Sequence, residues 1–123
     1  AANVVFHGAA PRERVSEFYR NASLLCCTSD FEGFPNTFLE AWSYGVPVVS
    51  TCDPDDLIIQ KGLGKVGKDA SELADGIRQL LSSDEQRLMM SHAARAFYLA
   101  NHTVEKAMTR FEQVFQSVLA ARR

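Results

Sequence analysis

The sequence predicts an α/β domain: a small parallel sheet in a partial Rossmann-like, three-layer arrangement, followed by a helical tail. Three observations predict it. Short continuous apolar runs at residues 4–6, 24–28 and 47–50 alternate with stretches of helical spacing, and parallel strands buried on both faces read as such runs. Glycine and proline mark the changes of period, at Gly8, Pro11, Gly45 and Pro47. From residue 69 onward the pattern is helical, and polar capping signals open each segment. Strand–helix alternation with right-handed crossovers produces a layered α/β structure.

Val4, Val5 and Phe6 form the first predicted strand, closed by Gly8. Pro11 suits the first turn of a helix, where its missing N–H costs nothing. Val15, Phe18, Tyr19 and Ala22 make that helix's apolar face. Residues 24–28 are the second strand. A loop over residues 29–35 leads to a helix from Asn36, an acceptable N-cap, to Tyr44. Gly45 ends this helix, Pro47 prevents its return, and residues 47–50 are the third strand. Gly62, Gly64 and Gly67 interrupt residues 52–68, with a short strand near Lys65 and Val66. Asp69 with Glu72 reads as a capping box for a helix carrying Leu73, Ile77, Leu80 and Leu81. Ser83 with Gln86 reads as a second, with Met89, Ala93, Ala96, Phe97 and Ala100 behind it. Thr103 caps a last helix whose face holds Ala107, Phe111, Val114, Phe115 and Val118. Three or four strands are few for so many helices, so upstream strands are expected to pair beside the first strand.

Length and composition bound the function. At 123 residues the chain suits one domain. A formal net charge of −2 gives no long-range field toward nucleic acid or an anionic membrane. No apolar run is long enough to cross a bilayer, and no signal-peptide pattern is present. The chain begins Ala1-Ala2-Asn3 and enters an apolar run at Val4, as a segment of a longer protein would. Cys26, Cys27 and Cys52 fit neither a zinc site nor a disulfide framework. They are expected to be reduced and buried, in a cytoplasmic setting.

Residues 29–45 carry the chemistry. Ligands of an open parallel sheet bind beyond the carboxyl ends of its strands, where the 29–35 loop falls. Gly33 lets backbone approach a ligand closely. The helix start near Asn36 offers unpaired N–H groups and a positive dipole end, which suit a phosphate. Glu32 and Glu40 flank this anion site. Two carboxylates beside a phosphate make sense when the phosphate is joined to sugars, whose hydroxyls donate to carboxylates. The bland alternative leaves both as solvated surface charges.

Residues 32–41, Glu-Gly-Phe-Pro-Asn-Thr-Phe-Leu-Glu-Ala, followed by Gly45-Val46-Pro47-Val48-Val49, closely resemble the C-terminal donor-binding domain of retaining GT-B glycosyltransferases, specifically glycosyltransferase family 4, the group 1 glycosyl transferases. Phe6-His7-Gly8 resembles the family's Phe-x-Gly strand end, and residues 19–29 its Tyr-x-x-Ala segment. The resemblance covers nearly the whole chain. It implies that Glu40 binds the ribose hydroxyls and that Glu32 is the catalytic-site glutamate near the donor sugar. It implies that Gly33, Phe34, Pro35, Asn36 and Thr37 form the donor-binding turn, with Pro35 unable to donate. The implied reaction transfers a sugar from a nucleotide diphosphate sugar to a glycan, lipid or small-molecule acceptor. It proceeds with retention and needs neither cofactor nor metal. The acceptor-binding N-terminal domain and the Arg and Lys that usually hold the donor phosphates lie outside this chain. The segment alone is therefore expected to be inactive, with membrane association, if any, residing in the N-terminal domain. No nucleic-acid partner is expected. The exposed stripe of the last helix is expected to promote self-association.

Other features compete for attention. Asp53-Pro54-Asp55-Asp56 contains an Asp-x-Asp pattern that suits a divalent metal, yet its proline favours a polar turn. His7 reads as an exposed loop residue, and His92 and His102 as surface residues. Trp42 is expected to pack the motif helix onto the sheet, with a partner for its indole N–H. The alternative function is a non-catalytic Rossmann-like interaction or regulatory module. A glycogen synthase-like or sucrose synthase-like enzyme is a third reading.

Overall fold

A computed structural model describes residues 2–122. The element order is α1 (Arg12–Asn21), β1 (Leu25–Cys27), α2 (Asn36–Ser43), β2 (Val48–Ser50), a 3-10 turn (Pro54–Asp56), α3 (Leu57–Lys61), β3 (Gly64–Val66), α4 (Ala70–Ser82), α5 (Asp84–Asn101) and α6 (Val104–Ala121). The strands form one parallel sheet in the order β1-β2-β3. Leu25 faces Val48 across the first pairing, and Val48 faces Gly64 across the second.

The period of two along β2 assigns its side chains to two cores. Val48 joins Phe38, Ala41 and Trp42 of α2, Ile58 of α3 and Ala94 of α5. Val49 points the other way, onto Leu73 and Leu80 of α4. Helices thus cover both faces, and β2 is buried throughout. Gly76 lets α4 approach the sheet: a Cβ there would lie 3.4 Å from Val49 Cγ1.

The three N-caps form as expected, but the reciprocal half of a capping box does not: Glu72 reaches Lys68, one residue before the cap, and among the described residues Gln86 makes no return bond to Ser83. Asp69 accepts from the Glu72 amide at 2.9 Å, while Glu72 Oε2 accepts from the Lys68 amide at 2.9 Å. Ser83 accepts from the Gln86 amide and Thr103 from the Lys106 amide. Each satisfies one N–H that a helix start leaves open.

Several expectations need correction. Val4, Val5 and Phe6 form no strand: among the described residues nothing pairs with them, and Phe6 is 95% exposed. A strand exists only through its ladder, so an apolar run without a neighbouring edge stays irregular. Pro35, not Asn36, occupies the N-cap position of α2, which ends at Ser43. The inward face of α5 runs through Met90, Ala94, Phe97 and Tyr98, whereas Met89, Ala96 and Ala100 are exposed. That helix has apolar residues on several sides, so hydropathy alone does not fix its rotation. Leu81 is likewise exposed on α4. Cys26 is exposed on the outer strand β1, and only Cys27 and Cys52 are partly covered. The α6 stripe is exposed as expected from Phe111 to Val118, Phe115 by 63%, while Ala107 is partly covered.

Candidate functional site

The chain leaves β1 at Cys27 and re-enters regular structure at Asn36. Thr51, just past β2, ties the two strand ends together: its amide donates to the Cys27 carbonyl and its hydroxyl to the Ser29 carbonyl at 2.6 Å. Beyond that tie Glu32 and Gly33 are exposed. A Cβ on Gly33 would meet nothing within 4 Å, so the space before its backbone is open. Phe34 folds back, its ring 6.2 Å from Trp42 and 5.9 Å from His102. Pro35 is buried, and Asn36 and Thr37 are exposed at the first turn of α2. Among the described residues no side chain caps this end, unlike those of α4, α5 and α6. Amides in the first turn of a helix lack intrahelical partners.

Glu40 lies one turn further along α2, exposed. Its Oε2 accepts a hydrogen bond of 3.0 Å from the hydroxyl of Tyr19 on α1. Burial, then the bond to Glu40 and its charge, push the Tyr19 phenol well above its ordinary pKa. It therefore donates throughout the physiological range. Glu40 and Tyr19 line a cleft of about 260 Å³ with Arg12 and Ser16 of α1, Tyr44, Tyr98 and His102. Glu32 and residues 33–37 lie outside the lining of this cleft. The structure thus sets the two glutamates in different surroundings: one on an open loop, one on the wall of a cleft.

Trp42 is fully buried, between Phe38 and Phe97 and near Phe34. Its ring binds α2 to α5 rather than to the sheet alone. Its indole N–H, expected to have a partner, has none among the described residues. His102 is not a plain surface residue. It is half-buried against Phe34 and Phe97. Burial, then the charge of Arg110, lowers its pKa below the usual histidine value. His7 is exposed and packs against Phe18, the rings 4.6 Å apart and tilted by 43°. The Asp53 carboxylate is occupied by the backbone, accepting from the Ile58 amide at 2.7 Å and the Ile59 amide at 3.2 Å. Among the described residues no three His, Cys, Asp or Glu side chains converge on a common point.

The sequence reading missed Tyr19 as a partner of Glu40, 21 positions away, as well as Arg12, Tyr98 and His102 on the cleft. One signal was present. Tyr19 sits on the apolar face of α1, and a phenol carried into a packed interface needs an acceptor.

A parallel sheet covered by helices on both faces, with polar groups gathered on the loop and helix after a strand, defines a partial Rossmann-like α/β domain. Within that class the assignment is specific: the chain belongs to the group 1 glycosyl transferases, whose family model matches residues 1–97. It is 43% identical over 60 residues to a lipopolysaccharide 1,6-galactosyltransferase of Salmonella typhimurium, covering 45% of this chain and 17% of that protein. It is 29% identical over 89 residues to an amylovoran biosynthesis glycosyltransferase of Erwinia amylovora, covering 69% and 25%. It is 30% identical over 113 residues to an N-acetyl-alpha-D-glucosaminyl L-malate synthase of Bacillus anthracis, covering 88% and 29%. The chain therefore spans less than a third of each of these relatives. No solved structure matches it significantly.

Proposed function

We propose that this chain is the nucleotide-sugar donor-binding part of a retaining, metal-independent glycosyltransferase of GT-B architecture and family 4. The observation that carries the reading is Glu40, held by Tyr19 on the wall of a cleft, one turn beyond a helix start that no side chain caps. A carboxylate there accepts the ribose hydroxyls. The first-turn amides and positive dipole end of α2 receive the diphosphate and stabilise it as a leaving group. Gly33, Phe34, Asn36 and Thr37 present backbone N–H groups to the donor, and Pro35 shapes the turn without donating. Glu32, on the open loop before that turn, stands near the donor sugar as the catalytic-site glutamate.

The acceptor is bound by an N-terminal domain beyond this segment. The relatives' names span lipopolysaccharide, amylovoran and malate, so the acceptor class is a glycan, a lipid-linked glycan or a small molecule, handled in the cytoplasm. Among the described residues no helix is long and apolar enough to cross a membrane, and any membrane association is assigned to the N-terminal domain. By itself the segment transfers no sugar. It self-associates through α6, where Val104, Met108, Phe111, Phe115 and Val118 repeat at alternating spacings of four and three. Sedimentation giving a strict monomer at high concentration contradicts that last point.

The direct test is thermal unfolding of the intact protein with UDP-, GDP- and ADP-sugars, beside Glu40→Ala. A donor at a hundred times its Kd stabilises by about 2.7 kcal/mol. Stabilisation by one nucleotide class, lost in the variant, is expected. If no sugar nucleotide shifts the transition, the donor-site reading is wrong.

A further inference from the structure

We propose that Tyr19 is a positioning residue for ribose recognition: its hydroxyl fixes Glu40 so that the remaining carboxylate acceptor sites meet a ribose diol. This rests on the donor-site reading above and adds to it a residue on a different helix. The argument begins with which partner is rigid. The Tyr19 ring packs against the main core and stacks on Tyr44 at 5.9 Å, with planes 9° apart. The guanidinium of Arg20 lies 5.6 Å over the Tyr44 ring. The phenol is therefore immobilised by its surroundings. Glu40 is exposed, and the Tyr19 hydroxyl, at 3.0 Å from Oε2, is what its carboxylate is tied to. Tyr19 orders Glu40, not the reverse.

The chemistry follows from counting acceptor positions. An ionised carboxylate offers about four lone-pair sites. One takes the phenolic O–H, which leaves enough for two more donors, the number a vicinal diol supplies. A free glutamate loses rotamer freedom when it binds, and an ordered one has already lost it. Both residues face the same cleft, so the ordered carboxylate lies where a ligand can reach it.

The test is calorimetric titration of the intact protein with UDP, GDP and ADP, and with the 2′,3′-dideoxy form of whichever binds. Tyr19→Phe keeps the ring, its stacking and its packing, and removes only the hydroxyl. Its melting temperature is measured alongside. The expected result is an affinity for the ribonucleotide lower by about three- to tenfold, with the affinity for the dideoxy form unchanged. In a Glu40→Ala background, where the hydroxyl has no acceptor to hold, Tyr19→Phe has no further effect. Equal losses for both ligands make Tyr19 a general packing residue and overturn the proposal. No loss for either also overturns it. If the unaltered protein binds ribo and dideoxy forms equally and Glu40→Gln changes nothing, the assignment of Glu40 fails, and the role of Tyr19 with it. A normal ribose preference that depends on Glu40 but not on Tyr19 sinks the present inference alone.

Discussion

Replacing Gly64 by alanine places a methyl group in the backbone of the neighbouring strand. Gly64 pairs with Val48 in the sheet, and a Cβ built there lies 1.7 Å from the Val48 carbonyl oxygen and 2.7 Å from its carbonyl carbon. No rotamer relieves such a contact, because both partners are main chain. The backbone at Gly64 also has φ of +156°, which alanine rarely adopts. Overpacking costs about 1–3 kcal/mol, and backbone strain of this kind about 1–3 kcal/mol more. A loss of about 2–6 kcal/mol is expected, a large share of a typical domain's stability. At about 4 °C per kcal/mol for a domain of this size, melting falls by about 8–24 °C. Gly62 is the control. Its φ is +67°, yet a Cβ there meets nothing within 4 Å. Gly62→Ala should cost only about 1 kcal/mol. Urea and thermal unfolding of the purified variants measure both. A Gly64→Ala protein melting within a few degrees of the parent, or a Gly62→Ala protein less stable than Gly64→Ala, refutes the reasoning.

Two further outcomes are expected. Asp53→Ala should lose about 1 kcal/mol from the missing bonds to the Ile58 and Ile59 amides, Asp53→Asn should lose less, and Mg²⁺ should leave the melting temperature of the parent unchanged; a metal-dependent shift abolished by either variant contradicts the capping role. His102 is held below its unfolded pKa near 6.5, so the unfolded chain binds more protons as pH falls. Its contribution to stability is full above that value and declines as pH drops through it toward the folded pKa. Urea midpoints between pH 8 and pH 5 should fall more steeply for the parent than for His102→Gln, and parallel profiles would contradict the assignment.

Much of the fold was legible because it is encoded locally. Asp69, Ser83 and Thr103 announced helix starts through side chains that bond amides three positions away. The runs around Cys27 and Val49 announced strands through continuous apolarity. The first run, residues 4–6, has the same local chemistry and forms no strand, since its missing requirement is a partner elsewhere. The rotation of α5 was illegible for a related reason. Its alanines suit either face, and packing against α2, including Arg95 donating to the Ser43 carbonyl, makes the choice.

The same division holds at the candidate site. The sequence by itself determined where the two glutamates stand, that a glycine-containing turn and a helix start lie between them, and which family carries that pattern. Local order along the chain suffices for this, because turn and helix are built from neighbours. Only the tertiary structure decided that Glu40 is tied to Tyr19, that Asp53 spends its carboxylate on the backbone, that His102 is drawn into an aromatic cluster, and that Glu32 and Glu40 occupy separate surroundings. Those outcomes depend on contacts between segments distant in sequence, and no local propensity specifies which distant group a polar side chain will meet.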